Sequence, residues 1–364
     1  MTTNLQDKLM LHIHELPLPD HHGDPHWQAY QELLTRWNHE LLGGPGWDVS
    51  AETNLAQSRA AENDIRVERF LAYSDAAALG YATLRINVRD DPEAGSVIVY
   101  VAPEARGAGV GRRLAARLET AVCDAGLARL NAWLETPLPT GEQLAPETGV
   151  GGVPAEHPGV RMAQAYGFVL EQVERVSRYD FAAPLVDPRD ALAEARARAG
   201  DEYELLVWED AAPDDLLDGI AALKRRMLTD PPTGGLVVAE ANWDAARVRE
   251  EEERYLPTVR IWRTAARHRP TGAVVALSEL TRDRSNPEGL VGQGDTIVLP
   301  EHRGRRLGML VKAANLIQVR EASPDAEAIL TWNAEENRYM LDVNEALGFR
   351  PYLVEGAFQR RLVA

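Results

Sequence analysis

Two stretches about 200 residues apart repeat one design in this chain of 364 residues. Val101-Ala102-Pro103-Glu104-Ala105-Arg106-Gly107 and Val298-Leu299-Pro300-Glu301-His302-Arg303-Gly304 both read Val-x-Pro-Glu-x-Arg-Gly, and each runs straight into a helix-forming pattern. A repeat of such long period means that one folding unit occurs twice. The length independently favours two hydrophobic cores over one.

The order of elements around the two motifs agrees. In the first half, Trp27, Tyr30, Leu34, Trp37 and Leu41 recur at helical spacing until Gly43 and Gly44 end the pattern. RVERFLAYS from Arg66 and LGYATLRINV from Leu79 read as a hairpin turning near Asp75. SVIVYVAP leads into the first motif, and the helix after it presents Leu114, Leu118 and Val122 on one face. RLNAWLET reads as a further strand and FVLEQVERVSRYDF as the closing strand of this copy, with the Pro- and Gly-rich stretch 137–159 between them a long loop. The Ala-rich, charged stretch from Asp187 has the composition of a linking helix. The expected domains are therefore residues 1–186 and 201–364, joined by residues 187–200.

The second half repeats the order: a strand LLVWED, two helices, a hairpin TVRIWRTAAR and TGAVVALSELTR, the motif strand GDTIVLP, a helix, a strand AILTWNA and a last strand FRPYLVEGAFQRRL. Strands and helices in this order predict two similar α+β units, each a mixed, mostly antiparallel sheet flanked by helices.

Composition narrows the function. A net charge of -17 argues against a nucleic-acid partner and suits a cationic substrate. No apolar run reaches the roughly 18 residues that span a bilayer, and MTTNLQDKLMLHIHELP lacks the pattern of a signal peptide, so no membrane partner and a cytoplasmic location are expected. The single cysteine, Cys123, excludes an internal disulfide and reads as a small buried apolar residue. His12, His14, His21, His22 and His26 crowd a Pro-rich segment without the fixed spacing of a helical metal site, so no metal is expected. The acidic run Glu250 to Glu253 reads as a solvated helix face.

The motif itself is an anion cradle. Glycines before and within the first helical turn let backbone N–H groups approach a ligand, and the helix N-terminus adds partial positive charge. No Gly-Lys-Ser/Thr closes it, and its Arg-x-x-Gly-x-Gly spacing differs from the dinucleotide fingerprint. Val101-Ala102-Pro103 followed by Arg106-Gly107-Ala108-Gly109-Val110-Gly111 resembles the acetyl-CoA-binding motif of the GNAT superfamily of N-acetyltransferases. The family's second mark, an Asn before a helix ending in Gly-Phe, is matched by Asn337 through Gly348-Phe349, while Tyr166-Gly167-Phe168 keeps only its end. The resemblance spans nearly the whole chain as two copies.

It implies acetyl-CoA as cofactor, the pantetheine arm held by the backbone of the motif strand and the diphosphate by the loop. Carried over by position, the binding residues are Val101, Arg106, Gly107, Ala108, Gly109, Val110, Gly111 and Arg112 in the first copy. In the second they are Val298, Leu299, Arg303, Gly304, Arg305, Arg306, Leu307, Gly308 and Met309, with Asn337. Arg306 departs from the pattern, since Gly is usual there. The family often supplies a Tyr acid four residues before Gly-Phe, but Ala163 and Asn344 stand at those positions.

Acetyl transfer to an amine needs a base for the ammonium proton, an oxyanion donor and an acid for the leaving thiolate. The second copy offers more polar groups: Asp295 or Glu279 as base, directly or through water, and Asn344 and Tyr339 as donors near the thiol. The expectation is an acetyl-CoA-dependent N-acetyltransferase acting on a small-molecule amine, with a catalytic second domain and a degenerate first. Protein N-acetylation and non-catalytic acyl-CoA sensing are the alternatives.

Overall fold

The computed structural model describes residues 10–227 and 229–362. The first half contains Leu11–Glu15 (β1), Pro25–Leu42 (α1), Ala51–Ala60 (α2), Ile65–Ser74 (β2), Ala77–Asn87 (β3), Asp91–Val101 (β4), Val110–Ala125 (α3) and Arg129–Pro137 (β5). Next come Gln143–Leu144 (β6), Val153–Pro154 (β7), Pro158–Ala165 (α4), Val169–Asp180 (β8) and Pro188–Ala199 (α5). The second half adds Tyr203–Glu209 (β9), Leu217–Met227 (α6), Ala245–Tyr255 (α7), Val259–His268 (β10), Val274–Asp283 (β11) and Val291–Val298 (β12). Leu307–Ala322 (α8), Ala328–Ala334 (β13), Arg338–Ala346 (α9) and Arg350–Arg361 (β14) complete it.

These elements form two compact units, neither continuous in sequence. The first is built on residues up to Glu135, together with His157–Leu170 and the chain end from Gly356; the second on Thr136–Glu156 and Glu171–Glu355. The α+β architecture expected from the repeat is present in both.

In the first unit β1, β2, β3 and β4 pair antiparallel in sequence order, and β5 pairs parallel to β4. A parallel neighbour requires a crossover, and α3 supplies it. Helix α1 starts on Asp24, whose side chain accepts from the His26 and Trp27 N–H groups, and ends on Gly43 at φ 77°. Trp27, Tyr30 and Leu33 then bury against Leu71, Tyr81 and Tyr100 of the sheet. On α3 the inward face is Leu114, Leu118 and Val122, as the spacing predicts. Cys123 lies one step beyond Val122 on the outer side of that helix and is exposed, contrary to the buried role expected for it.

The second unit orders its strands β8, β13, β12, β11, β10, β9, with β12 and β13 parallel and the other assigned pairs antiparallel. Two sequence expectations change here. Strand β8, read as closing the first copy, pairs antiparallel with β13 from Glu174–Ala334 to Asp180–Ala328. The chain end instead serves the first unit, where the Leu362 N–H donates to the Ala128 carbonyl and Gln359 Nε2 to Asn131 Oδ1. Neither strand shows a clean apolar alternation, so pattern alone leaves the partner of each open.

Three smaller readings also shift. The stretch from Asp187 forms a helix as expected, but Ala195 and Ala199 of α5 are buried beside Leu310 and Val319 of α8, so it is part of a core. The long loop carries the short β6–β7 ribbon. In the acidic run, Glu252 turns inward, where Arg263, Arg249 and the Ala212 N–H satisfy its carboxylate.

Candidate active site

Each motif builds the same loop. After β4, Pro103–Ala105 form a single tight turn, Arg106 is extended, and Gly107 and Gly109 adopt left-handed φ values of 77° and 86°. In-helix bonding at the start of α3 begins with the Arg113 N–H donating to the Gly109 carbonyl, so the N–H groups of Val110, Gly111 and Arg112 point out of the helix end. A methyl group added at Gly107 or Gly109 would meet no protein atom within 4 Å. The loop is thus ringed by donors around open space, which fits a diphosphate. Arg112 is exposed on the first turn.

The motif arginine braces the loop. Arg106 Nε donates to the Val101 carbonyl at 3.0 Å and its guanidinium pairs with Glu40 at 2.7 Å. Arg303 repeats this in the second unit, with the Val298 carbonyl at 3.0 Å and Asp230 at 2.6 Å. This explains the residue's presence in both copies by local structure, its side chain being committed within the protein.

Beyond the loop the first unit is open. Strands β4 and β5 pair only from Ala94–Arg129 to Ser96–Asn131 and then diverge. The Ala102 N–H donates to Leu79 on the β3 side. Antiparallel alternation therefore turns the backbone groups of Val97, Val99 and Val101 away from β3 and toward the gap. A cavity of about 140 Å³ occupies the gap, walled by Val97, Val99 and Tyr100 of β4, Ala115 and Leu118 of α3, Leu134 and Glu135 of β5, Met162 and Ala163 of α4, and Phe168. This is a largely apolar slot edged by strand backbone turned away from β3, suited to a flexible arm that needs both sheet-like hydrogen bonds and dry walls.

Two carboxylates line the cavity, Glu119 and Glu135. Glu119 is held by Arg360 at 2.7 and 2.9 Å. Burial pushes the Glu135 carboxyl up from its ordinary value, and no basic group offsets that. Its charge reaches the Tyr81 phenol, whose buried hydroxyl has no partner. At the start of α4, His157 Nδ1 accepts the Gly159 N–H at 3.3 Å, and burial, then Arg106, pull this imidazole below its usual value. It stays neutral with the proton on Nε2.

The second unit keeps the loop and fills the slot. Gly304 has φ 77°, and Arg306 takes the left-handed position of Gly109 at φ 61°, which costs an L-residue about 1–2 kcal/mol. Lys312, six residues after Arg306 as Ala115 is six after Gly109, is only 2% exposed. Its Nζ donates to Gln293 Oε1 at 2.6 Å and lies 5.3 Å from the Phe349 ring centre. Gln293 is anchored in turn by the Glu279 carbonyl at 2.6 Å. Asn315, at the position of Leu118, bonds the carbonyls of Trp262 and Ser278. Walls that are apolar and open in the first unit thus carry polar, hydrogen-bonded side chains in the second, although Asn315 Oδ1 has no partner among the described residues.

The residues expected to carry chemistry in the second copy are placed accordingly. Glu279 is 5% exposed, with Lys224 at 2.9 Å and Arg263 at 2.7 Å. Burial alone would raise its carboxyl, but the two cations outweigh it and hold the group down at about 2. Such a carboxylate stays ionised and takes no proton from an ammonium, so the base role expected of Glu279 does not fit. Asp295 shares the same ammonium at 3.1 Å. Asn344 is buried and donates to Asn333 Oδ1 at 2.6 Å, whereas Tyr339 is 90% exposed, so the two share a helix and no site. Asn337 caps α9 by accepting the Met340 N–H at 3.3 Å. Val298 and Leu299 end the motif strand, Leu307 and Met309 are buried in α8, and Arg305 pairs with Glu202. Gly308 has no close neighbour but the Val298 side chain, 3.8 Å from an added methyl. Glu135 escaped notice in the sequence. Its one signal there is its place at the end of the strand that follows the motif helix, where Glu335 stands in the second copy.

Comparison with known proteins agrees with this geometry. Residues 27–140, which include the first motif, match the model of the acetyltransferase (GNAT) family. Among solved structures the chain is similar to a tandem GNAT protein from the clavulanic acid biosynthesis pathway, at 23% identity and a TM-score of 0.73 over 96% of this chain and 98% of that one. It is also similar to a GCN5-related N-acetyltransferase from Sphaerobacter thermophilus, at 17% identity and a TM-score of 0.59 over 96% and 95%. No curated protein matches the chain. Residues 27–140 thus match a GNAT acetyltransferase domain, and the whole chain shares the fold of the tandem GNAT protein.

Proposed function

We propose that the chain is an acetyl-CoA-dependent N-acetyltransferase whose working site lies in the first unit, and that its acceptor is a primary amine of a small molecule. The observation that carries this reading is the contrast between the two slots: open, apolar and edged by strand backbone turned away from β3 in the first unit, filled by Lys312 in the second. It moves the working site to the copy that the sequence alone marks as degenerate.

When bound, acetyl-CoA supplies an acetyl group activated as a thioester. The N–H groups from Gly107 to Arg112 hold its diphosphate, and the backbone of Val97, Val99 and Val101 receives the arm. Glu135 accepts the proton of the incoming ammonium, so that the amine is neutral when it attacks. Its sheltered carboxyl, raised by burial above its ordinary value, is a stronger base than an exposed carboxylate. The net charge of -17 draws a cationic acceptor inward.

The test is calorimetric titration of the full chain with acetyl-CoA, alongside thiol release with a panel of amines. Gly109→Glu abolishes binding and turnover, and Gly308→Glu leaves both intact; the reverse pattern overturns the assignment. Ala163, where the family often has its Tyr acid, favours one rival, a non-catalytic acyl-CoA sensor. Binding in the first unit without thiol release for any amine would select that rival.

A further inference from the structure

We propose that Lys312 is the residue that keeps acyl-CoA out of the second unit, so that the chain binds one cofactor and not two. The inference rests on the reading that the equivalent slot of the first unit takes the pantetheine arm.

Three walls define the slot in the first unit: the inner face of α3 at Ala115, the motif strand at Val97 and the Phe168 ring. In the second unit, Lys312 leaves the wall equivalent to Ala115 and reaches the other two. Its Nζ bonds Gln293, one residue beyond Gly292, where β12 leaves β13 after the two assigned pairs Val291–Ile329 and Gly292–Leu330. Its ammonium also lies against Phe349, the counterpart of Phe168. A single side chain thus spans the space an arm would need. Gln293 is fixed by its own bonds to the Glu279 carbonyl and Ser278 Oγ, so the plug is anchored at its far end. The rest of the unit keeps what a cofactor site requires: the Arg303 brace, Gly304 at positive φ, and the helix start at Leu307. Lys312 is therefore the obstacle within the slot, with Arg306 a second one at its mouth.

The experiment counts acetyl-CoA equivalents by calorimetry on the full chain. Wild type binds one equivalent, and Gly109→Glu binds none. Lys312→Ala with Arg306→Gly binds two, and the same pair in the Gly109→Glu background binds one. Melting curves establish that each variant is folded. One equivalent in the folded double variant overturns the proposal, as does a second equivalent gained from Arg306→Gly alone, since the loop would then be the barrier. Two equivalents in wild type overturn it directly. If wild type binds nothing, the reading of the first unit fails by itself, and one equivalent gained by the double variant still upholds the role of Lys312.

Discussion

A buried lysine with no carboxylate partner leaves a thermodynamic signature that needs no ligand to detect. Burial pulls Lys312 down from 10.5 to about 7, and nothing else contributes to the shift. Between those values the unfolded chain binds a proton that the folded chain does not, so stability rises with pH across the window. Below about 7 the full penalty applies, and above 10.5 it is gone. At about 1.4 kcal/mol per pH unit, the penalty is on the order of 5 kcal/mol, and about 3 kcal/mol of it is recovered between pH 7 and 9.5. Lys312→Met keeps the volume and removes the charge, but leaves Gln293 Oε1 unpaired, at a cost of about 1–3 kcal/mol. The variant should therefore be more stable than wild type by about 2 kcal/mol at pH 7, and lose about 3 kcal/mol of advantage by pH 9.5. Urea unfolding of both proteins at the two pH values measures this. A difference that stays constant with pH would mean that Lys312 is not buried as a lone amine, and the plug would lose its physical basis.

Other expectations follow from the same geometry. Glu135→Gln should lower kcat by about 10²–10⁴-fold in a thiol-release assay, with acetyl-CoA affinity by calorimetry unchanged. In wild type, kcat/KM should climb with pH through a value above the ordinary carboxylate range, because the raised Glu135 carboxyl must lose its proton to act, and the variant should lack that limb. Glu279→Gln should destabilise the chain by about 1–3 kcal/mol in urea unfolding, because Lys224 and Arg263 each lose one partner but keep Asp295 and Glu252, while acetyl transfer per folded molecule stays at the wild-type rate. Since Glu279 is held down at about 2, its contribution is complete above pH 4.5 and fades as pH falls toward 2, so the variant and wild type should converge in acid unfolding. Gly109→Ala forces a side chain into the left-handed region and should cost about 1–2 kcal/mol of stability by thermal melting.

Much of the fold was legible because its signals are local. The motif pair announced the duplication, the helical spacing of Trp27 and Tyr30 and of Leu114 and Leu118 marked the core faces, and Gly43 marked the end of α1. The loop was legible for the same reason, since Gly107 and Gly304 supply backbone conformations within a few residues of the motif itself. Glu279 and Asp295 invited a catalytic reading because their cations, Lys224 and Arg263, are distant in sequence. A carboxylate looks the same in sequence whether it is bare or paired. Glu135 gives no signal of its sheltering in sequence, because the burial that raises its carboxyl exists only once the chain is folded.

By itself, then, the sequence determined that a strand–loop–helix anion cradle occurs twice in an α+β setting, because periodicity and backbone conformation are written in neighbouring residues. Tertiary structure alone decided which cradle opens onto an empty slot. Ala115 and Lys312 occupy equivalent helical positions, and whether a helix face borders a cavity or plugs one depends on where the strands diverge and on what stands across the gap.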